Sequence, residues 1–148
     1  MSASPFVILL LERKAMFKTF TPMYCPALRE YVIFTMAGFN HLRFKVDNTP
    51  RNPKEAMYKL GLVPLIRPVI YNAKKVDNYE RRYSPIGGSR KKVFAEIEYW
   101  TLVAVVGKQN TKLRIVLRRV GKGQIQFWSV MKLGENQKPP TTTDVEGT

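Results

Sequence analysis

Acidic side chains, cysteine and histidine are the scarce materials of this chain. Its 148 residues hold 11 Asp and Glu against 25 Lys and Arg, a formal charge of +14, with an isoelectric point near 10.1. Like charges repel in a compact fold, so such an excess is kept for a partner: nucleic acid, an anionic membrane or an acidic protein. The single cysteine, Cys25, excludes an intrachain disulfide and a cysteine-built zinc site. The single histidine, His41, excludes a two-histidine acid/base pair. Carboxylates are scattered at Asp47, Asp77, Glu80, Glu96 and Glu98. Glu96 and Glu98 share one strand face, but no third carboxylate stands near them, which speaks against a two-metal nuclease. No P-loop, GxGxxG or HExxH motif occurs. Neither a metal nor a cofactor is therefore expected.

Long apolar runs are also missing. The longest, Phe6–Leu11, has six residues, far too few to span a bilayer. It lacks the basic segment that precedes a signal-peptide core. No long basic amphipathic helix suits a membrane surface. The expected site of action is the cytoplasm.

What the chain does contain is enough for a core: 45% of residues are hydrophobic. Its length fits one domain. Residues 1–20 read as an N-terminal helical or extended segment, with Phe6, Leu9 and Leu10 on one helical face. Residues 21–133 form the body. Residues 134–148 have the composition of a disordered tail. Two prolines make Thr21–Pro26 a loop, and Tyr31–Thr35 is a β-branched and aromatic strand candidate. Phe39, Leu42 and Val46 make a helical stripe. Asn52, Pro53 and Glu55 mark a helix start, and Gly61 its end. A second helix is expected over 65–75, and a polar, basic loop over 78–92. Strands follow at Ile97–Val106, Thr111–Val120 and Gln124–Met131, joined by turns at Gly107–Asn110 and Gly121–Gly123. Helices first and a sheet afterwards is an α+β plan.

That final meander is the most informative stretch. Alternation sends Leu113, Ile115 and Leu117 inward and Arg114, Val116 and Arg118 outward. On the last strand, Ile125, Phe127 and Met131 face inward, and Gln124, Gln126 and Trp128 outward. Ser129 shares the inward parity, so a bulge or the strand end is needed to expose it. The outer face thus gathers arginines, amides and an indole. Guanidinium grips phosphate bidentately, and an aromatic face stacks a base. An average protein would carry such arginines to solvate a half-buried sheet; here the net charge favours nucleic acid. His41 is the natural proton-transfer residue, with Arg43, Lys45 and Arg51 just beyond it. Arg90, Lys91 and Lys92 make a basic loop suited to gripping a backbone.

The segments GFNHLRFK (38–45), KLGLVPLI (59–66), EYW (98–100) and RIVLRRVGKGQIQFWSVM (114–131), with Arg51, resemble the phage and bacterial toxin nucleases of the barnase–EndoU–colicin–RelE-like (BECR) superfamily. The resemblance covers about residues 28–133 and makes 21–133 the nuclease domain. It implies N-terminal helices packed on one face of a four-stranded antiparallel sheet. It also implies metal-independent RNA cleavage, in which the ribose 2′-hydroxyl attacks the adjacent phosphate and leaves a 2′,3′-cyclic phosphate. Under it, His41 transfers the proton, Arg118 stabilises the phosphorane and Ser129 fills the hydroxyl position of the last strand. Arg51 and Lys122 hold backbone phosphates. Arg43, Lys45, Arg90, Lys91, Lys92, Tyr99, Arg114, Arg119, Gln126 and Trp128 complete the RNA-facing set. Which of Arg118 and Arg119 occupies the motif position stays open at this level. The implied partners are RNA and an acidic antitoxin or immunity protein. The main alternative is a basic RNA-binding module that binds and does not cut; a further one is a phage-packaging protein whose charge balances nucleic acid.

Overall fold

Alternating apolar residues and glycine-bearing turns build the expected meander. The computed structural model describes residues 4–45, 47–86 and 93–134. In it, β4 (Val93–Val106), β5 (Thr111–Val120) and β6 (Ile125–Lys132) pair antiparallel in sequence order. Gly107, Asn110 and Gly121 take positive φ at the turns, where glycine and asparagine avoid a Cβ clash.

The sheet is larger than expected. Among the described residues it has six strands, in the order β1-β2-β6-β5-β4-β3. The additions are β1 (Met23–Cys25) and β3 (Asn78–Ile86), while β2 (Glu30–Ile33) is the strand expected at Tyr31–Thr35, placed slightly earlier. All pairings are antiparallel except β2 with β6. The architecture is α+β, with six strands where four were expected. Two sequence readings fail here. The loop at 21–26 contains β1, and most of the loop at 78–92 is β3; residues 87–92 lie outside the described set. Strand β3 looked like a loop because it is polar and holds Pro85. It is an edge strand, and a missing N–H costs little there.

Four helices precede β3: α1 (Pro5–Lys18), α2 (Met36–Asn40), α3 (Pro53–Gly61) and α4 (Val63–Asn72). Side-chain oxygens cap three of them. Ser4 accepts from Val7, Thr35 from Gly38 and Asn52 from Lys54. The helix expected over 65–75 is α4, which begins earlier, with proline in its first turn. Phe17 of α1, Leu60 of α3 and Val63, Ile66, Val69 and Ile70 of α4 pack on Leu102, Ile115, Leu117, Phe127 and Val130. Each such side chain stabilises the fold by about 1.5–3 kcal/mol relative to exposure. Through Phe17, α1 belongs to this core.

One irregularity reorganises the opposite face. Leu117 pairs with Phe127 and Val116 with Ser129, so Trp128 is an extra residue in β6. Such a bulge inverts the parity of everything after it. Val130 therefore points into the core, while Ser129 and Met131 join Arg114, Val116 and Arg118 on the outer face. The inward placement of Met131 and Ser129 expected from simple alternation is thereby corrected.

The free edge of β6 is closed by α3. Strand β2 reaches only Ile125 and Gln126. Beyond them Lys59 Nζ donates to the Val130 carbonyl (2.8 Å), and the Lys132 amide donates to the Tyr58 hydroxyl (2.7 Å). Side chains thus satisfy an edge that would otherwise pair with another chain.

Candidate functional site

The chain reaches the outer face by crossing β6 closely. A Cβ on Gly38 would sit 2.4 Å from the Phe127 carbonyl oxygen, so only glycine lets α2 lie there. The helix stops at Asn40 and His41 is its C-cap. Phe39 and Leu42 of the anticipated stripe are buried, but the helix does not continue; Val46 is outside the described residues. Ending the helix here swings His41 against Trp128.

The imidazole stacks on the indole with centroids 4.5 Å apart and planes 15° from parallel. The Arg118 guanidinium carbon lies 3.6 Å from the same indole centroid. Two groups so close to one centroid cannot share a face of the ring. Trp128 is therefore held between His41 and Arg118. Together the three line a cleft of about 430 Å³, whose walls include Asn40, Phe44, Lys45, Asn48 and Ile86.

The electrostatics of this region are one-sided. Arg51, Lys59 and Arg114 are all buried, and Arg118 is half-buried. Burial first, then the charges of Arg51, Lys59 and Arg118, hold His41 far below its ordinary value, at about 3. His41 is therefore neutral at pH 7, and its Nε2 is buried without a hydrogen-bond partner. Burial, then Arg51, lower the Lys59 ammonium to about 8; Glu55 opposes this and Arg114 adds to it. Burial also lowers Arg118, against a pull from Tyr99, but a guanidinium stays charged. Desolvating each such cation costs several kcal/mol. An anion in the cleft would recover part of that cost.

Arg51 acts inside the protein. Its Nε donates to the His41 carbonyl (3.1 Å) and its Nη1 pairs with Glu55 (2.9 Å). It fixes the His41 backbone to α3. Ser129 is 1% exposed, and its Oγ has no hydrogen-bond partner. The bulge places it on the same face as Arg118, beneath the surface and outside the cleft wall. Arg114 is buried beside Met131, with Nη2 3.2 Å from the sulfur. Arg43 lies over Phe44, 5.0 Å from the ring centre. Tyr99 is buried under Arg82. Gln126 accepts from the Thr35 hydroxyl (2.8 Å) and so steadies the cap of α2.

Arg119 stands elsewhere. It has the opposite parity to Arg118 and grips Glu98 at 2.6 and 2.9 Å. Glu98 also accepts from Tyr79 (2.6 Å), and Glu96 pairs with Arg81. These carboxylates are engaged with cations. Among the described residues no three His, Cys, Asp or Glu side chains gather as a metal site requires. Lys122 is exposed at the β5–β6 turn, in a second depression shared with Arg119. Arg90, Lys91 and Lys92 lie outside the described residues.

The structure thus brings His41, Arg118, Trp128 and Lys45 to one cleft, with Ser129, Arg51 and Arg114 packed behind or beside it. Asn40, Phe44, Asn48 and Lys59 are additions that sequence reasoning missed. Asn40 and Phe44 flank His41 in the segment GFNHLRFK, so their neighbourhood was visible though their role was not. No family model matches the chain, and no curated protein or solved structure is found to be similar to it.

Proposed function

We propose that the protein is a metal-independent endoribonuclease of the toxin type, related to the BECR superfamily, that cuts at the cleft between α2 and β5. The observation that carries this reading is the convergence of His41 and Arg118, from distant parts of the chain, on one cleft in a strongly basic protein. A guanidinium resting on an indole uses its face and keeps its in-plane N–H donors; in Arg118 one bonds Tyr99 and Nε is buried, which leaves the remaining terminal N–H groups for a phosphate. His41 lines the cleft and is neutral at pH 7, so its imidazole can accept a proton. A phosphodiester entering the cleft brings the negative charge that offsets Arg51, Lys59 and Arg118, and so raises the basicity of His41 when substrate is present.

The step balances without a further reactant. The 2′-oxygen forms a bond to phosphorus and passes its proton to the neutral imidazole of His41. The bond from phosphorus to the 5′-oxygen breaks, and that oxygen takes a proton from water. Arg118 stabilises the added charge on the phosphorane oxygens. Arg51 positions His41, and Lys45 at the rim attracts the backbone. An acidic antitoxin or immunity protein is the proposed protein partner, since acidic side chains over this cleft would block it.

The test is incubation with single-stranded RNA in excess EDTA. Discrete fragments are expected from the wild type and none from a His41→Ala, Arg118→Ala double variant. Intact RNA at saturating folded protein would overturn the reading.

Two observations favour a second reading, a binding module without cleavage. Ser129 is buried, and His41 without substrate is a weak base. Under that reading RNA binds in a salt-sensitive manner and stays whole.

A further inference from the structure

Trp128 was the natural candidate to stack a nucleobase, yet His41 and Arg118 occupy its two faces. The other aromatic ring in the cleft wall is Phe44, where Arg43 covers one face and the second face is the one a base would use. Two carboxamides, Asn40 and Asn48, stand in the same wall. Among the described residues neither side chain has a hydrogen-bond partner. A carboxamide offers donors and an acceptor together, the combination that reads the edge of a base.

Hydrogen bonds tie together the described residues of the segment carrying them. The Phe44 and Arg43 amides both donate to the Asn40 carbonyl (2.9 and 3.0 Å). The Lys45 amide donates to the Thr49 carbonyl and the Asn48 amide to the Lys45 carbonyl, each at 2.9 Å. Asp47 accepts from the Thr49 hydroxyl (2.6 Å) and amide (3.1 Å). The Arg51 amide closes the loop on the Arg43 carbonyl (2.8 Å). Asn48 itself sits at φ 68°, a conformation asparagine tolerates and most residues do not. A backbone held this way fixes where the two carboxamides begin, and such preorganisation favours recognition over loose contact.

We propose that Asn40, Asn48 and Phe44 form a nucleobase subsite next to the Arg118 guanidinium, so that the cleft selects an unpaired RNA base along with its phosphate. Phe44 stacks the base, and the two amides read its hydrogen-bonding edge. The ligand class is single-stranded RNA, because a base inside a duplex presents neither its face nor its Watson–Crick edge. This inference rests on the ribonuclease reading for its substrate class, but it concerns selection and not cleavage.

The test measures binding of four short homopolymeric RNAs by fluorescence anisotropy, with heparin as a polyanion without bases. The variants are Asn40→Ala and Asn48→Gly, the second chosen because glycine keeps the positive φ of the turn. Thermal melting checks that both fold. The wild type is expected to prefer one homopolymer about tenfold, and the double variant to hold all four within about threefold at unchanged heparin affinity. A wild type indifferent to the base, or a preference that survives in the double variant, would overturn the subsite and leave the ribonuclease reading standing. Failure of the wild type to bind any RNA at low salt would sink both.

Discussion

The guanidinium carbon of Arg118 lies 3.6 Å from the centre of the Trp128 indole. That contact exists because Trp128 is the extra residue of a bulge, and it decides between two adjacent arginines. Arg118 faces the cleft, whereas Arg119 holds Glu98 with the opposite parity.

The two arginines should therefore behave differently. Arg118→Ala is expected to weaken RNA binding about tenfold and to reduce the salt slope of the binding constant by about one. Arg119→Ala is expected to change affinity less than about threefold. Anisotropy titrations at several salt concentrations read both quantities. Equal losses from both variants would contradict the assignment.

His41 predicts a pH dependence of stability. Its folded value of about 3 lies below its ordinary 6.5, so between these limits the unfolded chain binds the extra proton. Stability is then fully present above pH 6.5 and falls as the pH drops toward 3, on the order of 1.4 kcal/mol per pH unit. His41→Phe keeps an aromatic ring against Trp128 and removes the titration. Urea denaturation at pH 7 and pH 5 should show the wild type losing about 2 kcal/mol more than the variant. Parallel losses would show that His41 is not held neutral by the fold.

Gly38 predicts how tightly the site depends on one close approach. Gly38→Ala places a methyl 2.4 Å from the Phe127 carbonyl oxygen, and backbone on both sides must move. A cost of about 1–3 kcal/mol is expected in chemical denaturation. Because α2 carries His41 at its end, cleavage should fall further than the loss of folded protein accounts for. A variant of unchanged stability would contradict the described contact of α2 with β6.

Much of this architecture is legible in the chain. The meander and its basic residues follow from strict alternation over long strands with glycine turns. The start of α3 follows from Asn52 and Pro53. Strand β3 was hidden by its charge and Pro85, since pattern reading cannot see that a strand lies at an edge. Strand β1 is only three residues long, too short for periodicity to register, whereas β2 was visible in the β-branched and aromatic run at Tyr31–Thr35. Ser129 and Met131 were misplaced because one inserted residue flips every later side chain. The bulge leaves no signature in FWSV. His41 was visible as the lone histidine, but its stack on Trp128 depends on where α2 stops, which tertiary contact sets. Lys59 gave no signal, because a lysine in a short helix ordinarily points to water.

RNA cleavage at this cleft is proposed to run through the ribose 2′-hydroxyl. Its most direct measurement compares one oligonucleotide as RNA with the same oligonucleotide carrying 2′-deoxyribose, in excess EDTA, with end groups read by mass spectrometry. The RNA is expected to be cut to fragments ending in 2′,3′-cyclic phosphate, and the deoxy strand to stay whole. Cleavage of both strands alike, or of neither, would contradict this mechanism.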